Sequence, residues 1–343
     1  MAFILGYGTA AEWLRQNENI ELLKQRYAIP ELGIEASRTR LQRHVEETKH
    51  LTRPLHLITS SREDRRPSSE TLCHLFITPT GKYPAIRLGR GIFCCGPEYV
   101  FVQMANLLDD EELLLLGMEL CGRYGIHPDG ELFERQQGCS SKDLARGIDD
   151  LRRVRGRKRA ARVLPHVLEG ACSPMEAALS LILHEPLERG GFGLPAPELN
   201  HALEVKGKAR EIWTDDHITP DLLWNDARLA IEYDSDAFHT ASSRIARDAV
   251  RRDVLFEMGY RVITVTTEHM RSAHEIERIA NLVAAWLNIR LPEVSNKEWA
   301  RRAAFQTRLR NIASHPNTLL AFSNFASREG RDWNVRRFSR QGC

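Results

Sequence analysis

Alternating apolar and polar positions predict two short strands in the second half of the chain. Residues 221–224 and 228–234 have this period of two, and the turn between them consists of Asn-Asp or Asn-Asp-Ala-Arg. Successive side chains of a strand point to opposite faces. The alternation therefore assigns residues 229–234 to two faces, one with Leu229, Ile231 and Tyr233 and the other with Ala230, Glu232 and Asp234. The pattern predicts a hairpin in which one face is apolar and the other is acidic.

The length of the turn decides where Asp221 lies relative to this acidic face. A two-residue turn pairs Asp221 with Ala230, and a four-residue turn pairs it with Glu232. Both registers place Asp221 on the face of Glu232, whereas a three-residue turn moves it to the face of Tyr233. The even-numbered turns predict carboxylates that converge on one side of the hairpin.

The remaining patterns of the second half predict an α/β unit with a mixed sheet flanked by helices. Further strands are expected at 209–213 and 261–266, with helices at 241–258 and 272–289. Another helix is expected from Ser173, a good N-cap, because Pro174 suits the first helical position and Glu176 completes a capping-box pattern. A Gly/Pro-rich loop, 190–200, follows this helix.

The first half alternates helical and strand-like patterns and predicts an α+β domain. Helical periodicity occurs at 10–16 and 37–50, and two helices are expected within 98–125, separated by a cap at 107–110. Three strand-like segments lie at 54–60, 72–78 and 83–96. A basic helix is expected to begin at 151. We therefore expect an N-terminal domain at 1–150 with a recognition or regulatory role, an α/β domain at 151–290, and a basic extension at 291–343.

Composition is typical of a soluble globular protein. The 343 residues include 42% hydrophobic and 27% charged residues, and the net charge is +2. The seven cysteines form no C-x-x-C pair, which favours reduced packing thiols and a cytoplasmic location. No basic region that could begin a signal peptide precedes the first apolar residues, and the longest apolar stretch is too short to cross a bilayer. We expect no membrane partner.

Clustered carboxylates on the predicted hairpin favour a metal site. Carboxylates that converge repel one another and raise each other's pKa unless a cation neutralises them. Hard oxygen ligands suit Mg²⁺ or Mn²⁺, and such an ion can activate water and stabilise charge on a phosphoryl oxygen. Hydrolysis of a phosphodiester needs both effects. The alternative is a surface ion network, in which the acids pair with arginines of the following helix, namely Arg244, Arg247, Arg251 and Arg252.

These segments together resemble the PD-(D/E)xK, restriction-endonuclease-like nucleases. The closest likeness is to very-short-patch-repair endonucleases and their bacterial relatives, over about residues 170–290. The matching pieces are Pro-Asp at 220–221, Ile-Glu-Tyr-Asp at 231–234, Phe-His at 238–239, and the charged helix and strand of 247–266. The resemblance implies a mixed-sheet α/β fold and metal-dependent hydrolysis of DNA.

The resemblance also implies a role for each site residue. Asp221 matches the principal metal ligand, Tyr233 the residue whose carbonyl can ligate the metal, and Glu176 an acid from the first helix. His239 matches a histidine that can act as general acid or base, since an imidazole titrates near neutral pH. Glu232 has the place of the family's acid, but Asp234 stands where the broader family carries lysine, and this departure puts activity in question.

Two groups of basic residues are candidates for DNA phosphate binding. Arg244, Arg247 and Arg251 share a face of the helix at 241–258, and Arg252 lies one step round. The second group lies in 151–162 and includes Arg155, Arg157 and Lys158. A charge run of this kind is also typical of a solvated helix face. The front half weakly resembles AbiEi-type antitoxin regulators.

The sequence thus favours a Mg²⁺- or Mn²⁺-dependent endonuclease that acts on DNA in repair, defence or a toxin–antitoxin setting. The metal would be held by Asp221, Glu232, Asp234 and Glu176, and His239 would transfer protons. One alternative is a catalytically inactive DNA-binding regulator on a degenerate nuclease fold. Another is a protein-interaction scaffold in which the acids are only salt-bridged.

Overall fold

A computed structural model describes residues 2–30, 34, 44–64, 68–234 and 242–320, with only the backbone of 242–248. The chain divides into two compact units. The first contains the chain up to Val167 together with the residues from His315, and the second is Leu168–Ser314. Residues 151–167 thus lie with the first unit, and residues 291–314 lie with the second.

A mixed sheet of six strands forms the centre of the first unit. Its order is β2-β5-β6-β1-β3-β4, in which β1 pairs with β6 and β3 pairs with β4 in parallel, and the other pairs are antiparallel. The strands are β1 Phe3–Leu5, β2 Tyr27–Pro30, β3 Leu55–Thr59, β4 Thr71–Leu75, β5 Lys82–Gly89 and β6 Ile92–Cys95.

Helices and a two-stranded sheet complete this unit. The helices are α1 Tyr7–Gln16, α2 Ile20–Lys24, α3 Val45–Thr48, α4 Pro97–Met104, α5 Asp110–Leu120, α6 Ser141–Asp150 and α7 Arg157–Val163. The small sheet pairs β7 Tyr124–Ile126 with β8 Leu132–Glu134, and 3₁₀ turns lie at Leu164–His166 and Pro316–Leu320. The cap expected between α4 and α5 is confirmed, since Asp109 and Glu112 form a reciprocal capping box.

Two pairs of polar side chains connect elements inside the first unit. Arg15 is 2% exposed and donates through Nε and Nη2 to the two carboxylate oxygens of Glu119, each at 2.7 Å. His56 is also buried, and its Nδ1 lies 3.2 Å from Nε2 of His74. Burial lowers the pKa of His56 to about 4. These contacts join α1 to α5 and β3 to β4.

The second unit has a four-stranded mixed sheet with the order β14-β13-β12-β9. β13 pairs with β14 in parallel, and the other two pairs are antiparallel. The strands are β9 Glu198–Leu199, β10 Leu203–Glu204, β11 His217–Ile218, β12 Leu222–Trp224, β13 Leu229–Asp234 and β14 Arg261–Thr266, of which β10 and β11 form a separate pair. The predicted α/β class with a mixed sheet is confirmed.

Helices flank these strands in the described part of the second unit. They are α8 Pro174–His184, α9 Ala209–Ile212, α10 Ser242–Glu257, α11 Thr267–Arg271, α12 Ala273–Trp286 and α13 Asn296–Ser314, with a 3₁₀ turn at Leu187–Arg189. Helix α10 covers one face of the hairpin, where its Val254 and Leu255 lie in one cluster with Leu223 and Ala230. Val254 and Leu255 are fully buried, and each such burial stabilises the fold by roughly 1.5–3 kcal/mol.

Three local predictions need correction. The strand expected at 209–213 is wrong, because residues 209–212 form the short helix α9, whose Ala, Arg and Glu favour helix. The helix expected from 151 begins at Arg157, since Gly156 has φ of 94° and interrupts helical geometry. The loop expected at 190–200 contains β9. Of the helix expected at 37–50, residues 45–48 are helical, and 37–43 lie outside the described residues.

Among the residues described, none belongs to a helix with the length and apolar content needed to cross a membrane.

Candidate functional site

The hairpin of β12 and β13 has the four-residue turn, 225–228. Leu222 lies opposite Ile231 and Trp224 opposite Leu229. Continuing this register by one position places Asp221 opposite Glu232, and opposite residues of an antiparallel pair share a face. The acidic positions therefore lie on the face that also carries Leu223 and Ala230, next to helix α10.

Contacts from two other elements hold the turn in place. The hydroxyl of Tyr260 donates to Asn225 Oδ1 at 2.6 Å, and Trp286 Nε1 donates to the carbonyl of Ala227 at 2.7 Å. Arg228 adopts φ of 52°, and its carbonyl accepts the N–H of Arg261 at 2.8 Å. These contacts fix the register of the hairpin.

Asp221 lies directly before β12 and binds the edge of β13 through its side chain. Its Oδ2 accepts the backbone N–H of Tyr233 at 2.6 Å, and its backbone carbonyl accepts the N–H of Asn200 at 3.0 Å. Burial raises the pKa of the Asp221 carboxyl well above its usual range, and the nearby charges of Glu176 and Glu232 raise it further. The Tyr233 N–H and Arg251 oppose this rise. Asp221 thus lies close enough to both acids for their charges to affect its ionisation.

Glu232 forms an ion pair with Arg251 of helix α10. Arg251 Nη2 lies 3.2 and 3.1 Å from the two carboxylate oxygens and also donates to the carbonyl of Thr219 at 2.9 Å. The two side chains are only 17% and 23% exposed, so solvent screens this pair less than a surface pair. Of the arginines in the alternative ion network, Arg251 thus pairs with an acid of the hairpin.

Glu176 reaches the site from the first turn of α8. Its Oε2 accepts from Asn200 Nδ2 at 2.7 Å and from the backbone N–H of Cys172 at 2.9 Å, and the residue is 7% exposed. Ser173 caps the helix by accepting the N–H of Glu176. The expected capping box is thus only half present, because the carboxylate binds the N–H of Cys172 in place of that of Ser173.

Other residues expected at the site lie at or beyond the end of β13. Tyr233 contacts Thr267 through its hydroxyl at 3.1 Å, and its N–H faces Asp221. Asp234 is partly buried, pairs in register with Thr266, and by alternation shares the face of Glu232. His239 lies in 235–241, outside the described residues, so its role in proton transfer stays a prediction.

The basic residues expected to bind DNA differ in their surroundings. Arg251 is engaged by Glu232, Arg252 is exposed, and the side chains of Arg244 and Arg247 lie outside the described part. Arg157 in the first unit donates to the carbonyl of Ile148 at 3.0 Å.

The other basic residues of 151–162 differ from Arg157 in their contacts and exposure. Arg159 donates to the carbonyls of Ala105 and Leu108, which follow α4. Arg155 and Lys158 are exposed. Part of the basic run therefore satisfies backbone carbonyls, and the assignment of the rest to DNA stays a prediction.

One residue of the site was missed by sequence reasoning. Asn200 joins Glu176 to Asp221, and it does so with φ of 48°, a conformation that asparagine tolerates better than most residues. The available signal was an asparagine at the end of a Gly/Pro-rich loop. Arg251 was considered both for phosphate binding and as a partner of the acids, and the structure pairs it with Glu232. Helix packing, which the sequence pattern does not show, decides which of the four arginines forms this pair.

Within the described ranges, no group of three or more His, Cys, Asp or Glu side chains is arranged to hold a metal ion. Mg²⁺ needs fewer protein ligands than this, because it keeps several waters and is commonly bound by one or two carboxylates. Asp221 and Glu232 supply two carboxylates of suitable chemistry. The donor set therefore fits a hydrated Mg²⁺ or Mn²⁺ with few protein ligands.

Comparison with known proteins shows two similar chains in Mycobacterium tuberculosis, one in strain CDC 1551 and one in strain H37Rv, both described as uncharacterized. Each is 29% identical over 154 residues, which covers 45% of this chain and 51% of the relative. The chain thus spans about half the length of the curated relatives it matches. No protein-family model and no solved structure matches the chain.

Proposed function

We propose that residues 168–314 form a restriction-endonuclease-like domain that hydrolyses phosphodiester bonds of DNA with the help of Mg²⁺ or Mn²⁺. The proposal rests on the resemblance in sequence and on the acidic residues near the start of β12. Asp221, Glu232 and Glu176 come from three different elements.

The contacts that join these elements carry the proposal. Glu176 is bonded to the side chain of Asn200, and the backbone of Asn200 is bonded to that of Asp221. Asp221 is in turn bonded to the backbone of Tyr233, next to Glu232. A purely structural role would favour apolar or neutral groups here, since buried like charges are costly. The presence of the acids despite this cost favours a function for them.

The residues that would hold the ion are Asp221 and Glu232, together with the backbone carbonyl of Tyr233 and the carboxylate of Asp234. The N–H and the carbonyl of a strand residue point to the same edge, so the carbonyl of Tyr233 also faces the edge that Asp221 closes. A bound divalent ion supplies an activated water and stabilises charge on the phosphoryl oxygen.

Other side chains and the buried environment set the charge of this site. Burial raises the pKa of the Asp221 carboxyl, so it holds a proton more readily than an ordinary aspartate, and a nearby cation would favour its ionised form. Arg251 neutralises Glu232 within the folded chain. Arg252, Arg244 and Arg247 are proposed to meet the phosphates of DNA, and His239 is proposed to move the proton of the attacking water or leaving group.

A second function, a DNA-binding regulator without catalysis, is favoured by two observations. Arg251 forms an ion pair with Glu232, as expected if this acid has a structural role. Asp234 also stands where the broader nuclease pattern has lysine. A regulator of this type would bind DNA through its basic residues and would not need a divalent ion.

Plasmid nicking distinguishes these functions. Supercoiled DNA is incubated with wild type, with Asp221→Asn, and with Asp226→Asn, a matched control in the exposed turn of the same hairpin. Each incubation is made with Mg²⁺, with Mn²⁺ and with chelator. The nuclease proposal expects nicking that requires the ion, is lost in Asp221→Asn and persists in Asp226→Asn. Mobility shift of DNA without nicking supports the regulator, and nicking that survives Asp221→Asn overturns the proposed site.

A further inference from the structure

Arg251 of helix α10 contacts Glu232 through a single nitrogen. Its Nη2 lies 3.2 and 3.1 Å from the two carboxylate oxygens and 2.9 Å from the carbonyl oxygen of Thr219. A guanidinium has N–H donors on all of its nitrogens. Within the part of the chain that the structure describes, Nε and Nη1 of Arg251 make no hydrogen bond. Neither nitrogen is buried and the side chain is 23% exposed, so an anion from solvent can reach both donors.

The buried pair of Arg15 and Glu119 gives a comparison within the same chain. There, two nitrogens of the guanidinium meet two carboxylate oxygens, each at 2.7 Å, and the side chains are 2% and 4% exposed. The pair of Arg251 and Glu232 is longer, uses one nitrogen, and has side chains that are 23% and 17% exposed. Charge-assisted bonds are strongest when they are short and bidentate. Glu232 therefore holds Arg251 less firmly than Glu119 holds Arg15.

The guanidinium of Arg251 competes with a divalent ion for the carboxylate of Glu232. Both oxygens of Glu232 lie within hydrogen-bond distance of Nη2, and a positive charge this close opposes the binding of a second cation. Arg251 also acts on Asp221, because its charge opposes the rise in the pKa of that carboxyl. Asp221 and Glu232 thus both lie within the field of Arg251. While the ion pair is formed, the affinity of the site for Mg²⁺ or Mn²⁺ is reduced.

A DNA phosphate offers Arg251 a partner of better geometry. Arginine binds phosphate through two parallel N–H groups on neighbouring nitrogens. Both edges of the guanidinium that can do this include Nη2, the nitrogen now shared between Glu232 and Thr219. Because the planar guanidinium moves as one body, turning an edge toward phosphate takes Nη2 away from Glu232. This exchange keeps the charge of Arg251 paired and leaves both oxygens of the Glu232 carboxylate open to a metal ion.

We infer that Arg251 makes metal binding depend on DNA: it holds Glu232 in the free protein, and a backbone phosphate of DNA draws it away so that Glu232 can bind the divalent ion. This inference rests on the proposed function, because it takes Asp221 and Glu232 as metal ligands. Coupling between two ligands is reciprocal, so the ion also tightens DNA binding by the same factor, typically about fivefold to 150-fold. The metal site is therefore completed mainly on DNA.

Titration of the full chain with Mn²⁺ tests this inference. Free Mn²⁺ is counted by its electron paramagnetic resonance signal, with and without a short DNA duplex whose phosphorothioate linkages slow hydrolysis. Asp221→Asn with the same duplex gives the Mn²⁺ that DNA itself binds. After this correction, the Kd of wild type for Mn²⁺ should fall at least about fivefold when the duplex is present.

The outcomes of this titration separate the inference from the proposed function. Equal affinity of wild type for Mn²⁺ with and without the duplex overturns the inference, and ion-dependent nicking of plasmid would then still support the nuclease. Absence of Mn²⁺ binding under both conditions overturns the proposed metal site and the inference together.

Two variants assign the coupling to one side chain. Without DNA, Arg251→Gln should bind Mn²⁺ at least about fivefold more tightly than wild type, and the duplex should change its affinity less. Arg252→Gln removes an equal charge at the exposed neighbouring position, so it should weaken DNA binding but keep the coupling of wild type.

Two results would contradict the role of Arg251. One is Mn²⁺ binding by Arg251→Gln that is no tighter than that of wild type, and the other is an equal loss of coupling in Arg252→Gln. Circular dichroism shows whether each variant is folded. If Arg251→Gln does not fold, the titration of wild type alone decides the inference.

Discussion

Asp221 accepts the backbone N–H of Tyr233 at 2.6 Å, so this carboxylate serves as a structural acceptor as well as a proposed metal ligand. The two roles can be separated by substitution. Asp221→Asn keeps an oxygen that accepts the N–H, whereas Asp221→Ala leaves the N–H without it. We expect the alanine variant to be less stable than the asparagine variant by roughly 1–3 kcal/mol. Urea denaturation measures both free energies of unfolding, and equal values would show that this hydrogen bond does not stabilise the hairpin.

Arg251 neutralises the acidic face, and its removal should make the fold responsive to divalent ions. Arg251→Gln leaves Glu232 without its counter-charge and should lower the free energy of unfolding by roughly 1–3 kcal/mol in chelator. Millimolar Mg²⁺ should then raise the Tm of this variant more than that of wild type, since an ion that binds only the folded state stabilises it. Arg252→Gln alters the exposed neighbouring residue and serves as the control. An Mg²⁺ response equal to that of wild type contradicts the expectation.

Asn200 holds Glu176 while adopting φ of 48°. Asn200→Ala removes the bond to a buried carboxylate and places a Cβ residue in the left-handed region, with an expected loss of roughly 2–4 kcal/mol. Asn200→Gly removes the bond but avoids the strain, so its loss should be smaller by about 1 kcal/mol. Thermal and urea unfolding of both variants check this order. The reverse order would mean that backbone strain contributes nothing at this position.

The Arg15–Glu119 pair is buried and bidentate, so removing one partner should be costly. Arg15→Met leaves a buried carboxylate without its cation and should lower the free energy of unfolding of the first unit by roughly 3–5 kcal/mol. The double variant Arg15→Met with Glu119→Leu removes both charges and should recover much of this loss. Denaturation of the single and double variants forms the test. A double variant as unstable as the single one would contradict it.

His56 should make stability depend on pH in a defined window. Burial lowers its pKa from the ordinary value of 6.5 to about 4, so between these values the unfolded chain binds a proton that the folded chain does not. Stability is therefore lost as pH falls through this window, by up to about 3 kcal/mol.

Substitution tests this assignment. His56→Gln should flatten the pH profile of the free energy of unfolding, whereas His217→Gln, an exposed control, should not. An unchanged slope in His56→Gln would remove His56 as the cause.

Local sequence signals predicted several elements well. The alternation of 261–266 coincides with β14, and the capping pattern at 107–110 gave the start of α5. Ser140 and Asp143 also form a capping box, and that signal was present in the sequence but not used, so helix α6 was missed. Elements with their own periodicity or cap could thus be found from sequence.

Features that depend on distant partners could not be found in this way. Strand β9 has two residues and exists because it pairs with β12, more than twenty positions along the chain. The pairing of Arg251 with Glu232 and the bond from Glu176 to Asn200 require tertiary packing that fixes side chains from separate elements. The acids could be named from sequence, and so could Arg251 as one of four possible partners, but the pair that forms and the role of Asn200 could not.

The four residues 225–228 between β12 and β13 restrict how this protein can change over evolution. Loss or gain of two turn residues would keep Asp221 on the face of Glu232, whereas loss of one would move Asp221 to the face of Tyr233. The parity of the turn, more than its composition, is therefore what descendants of this chain must preserve.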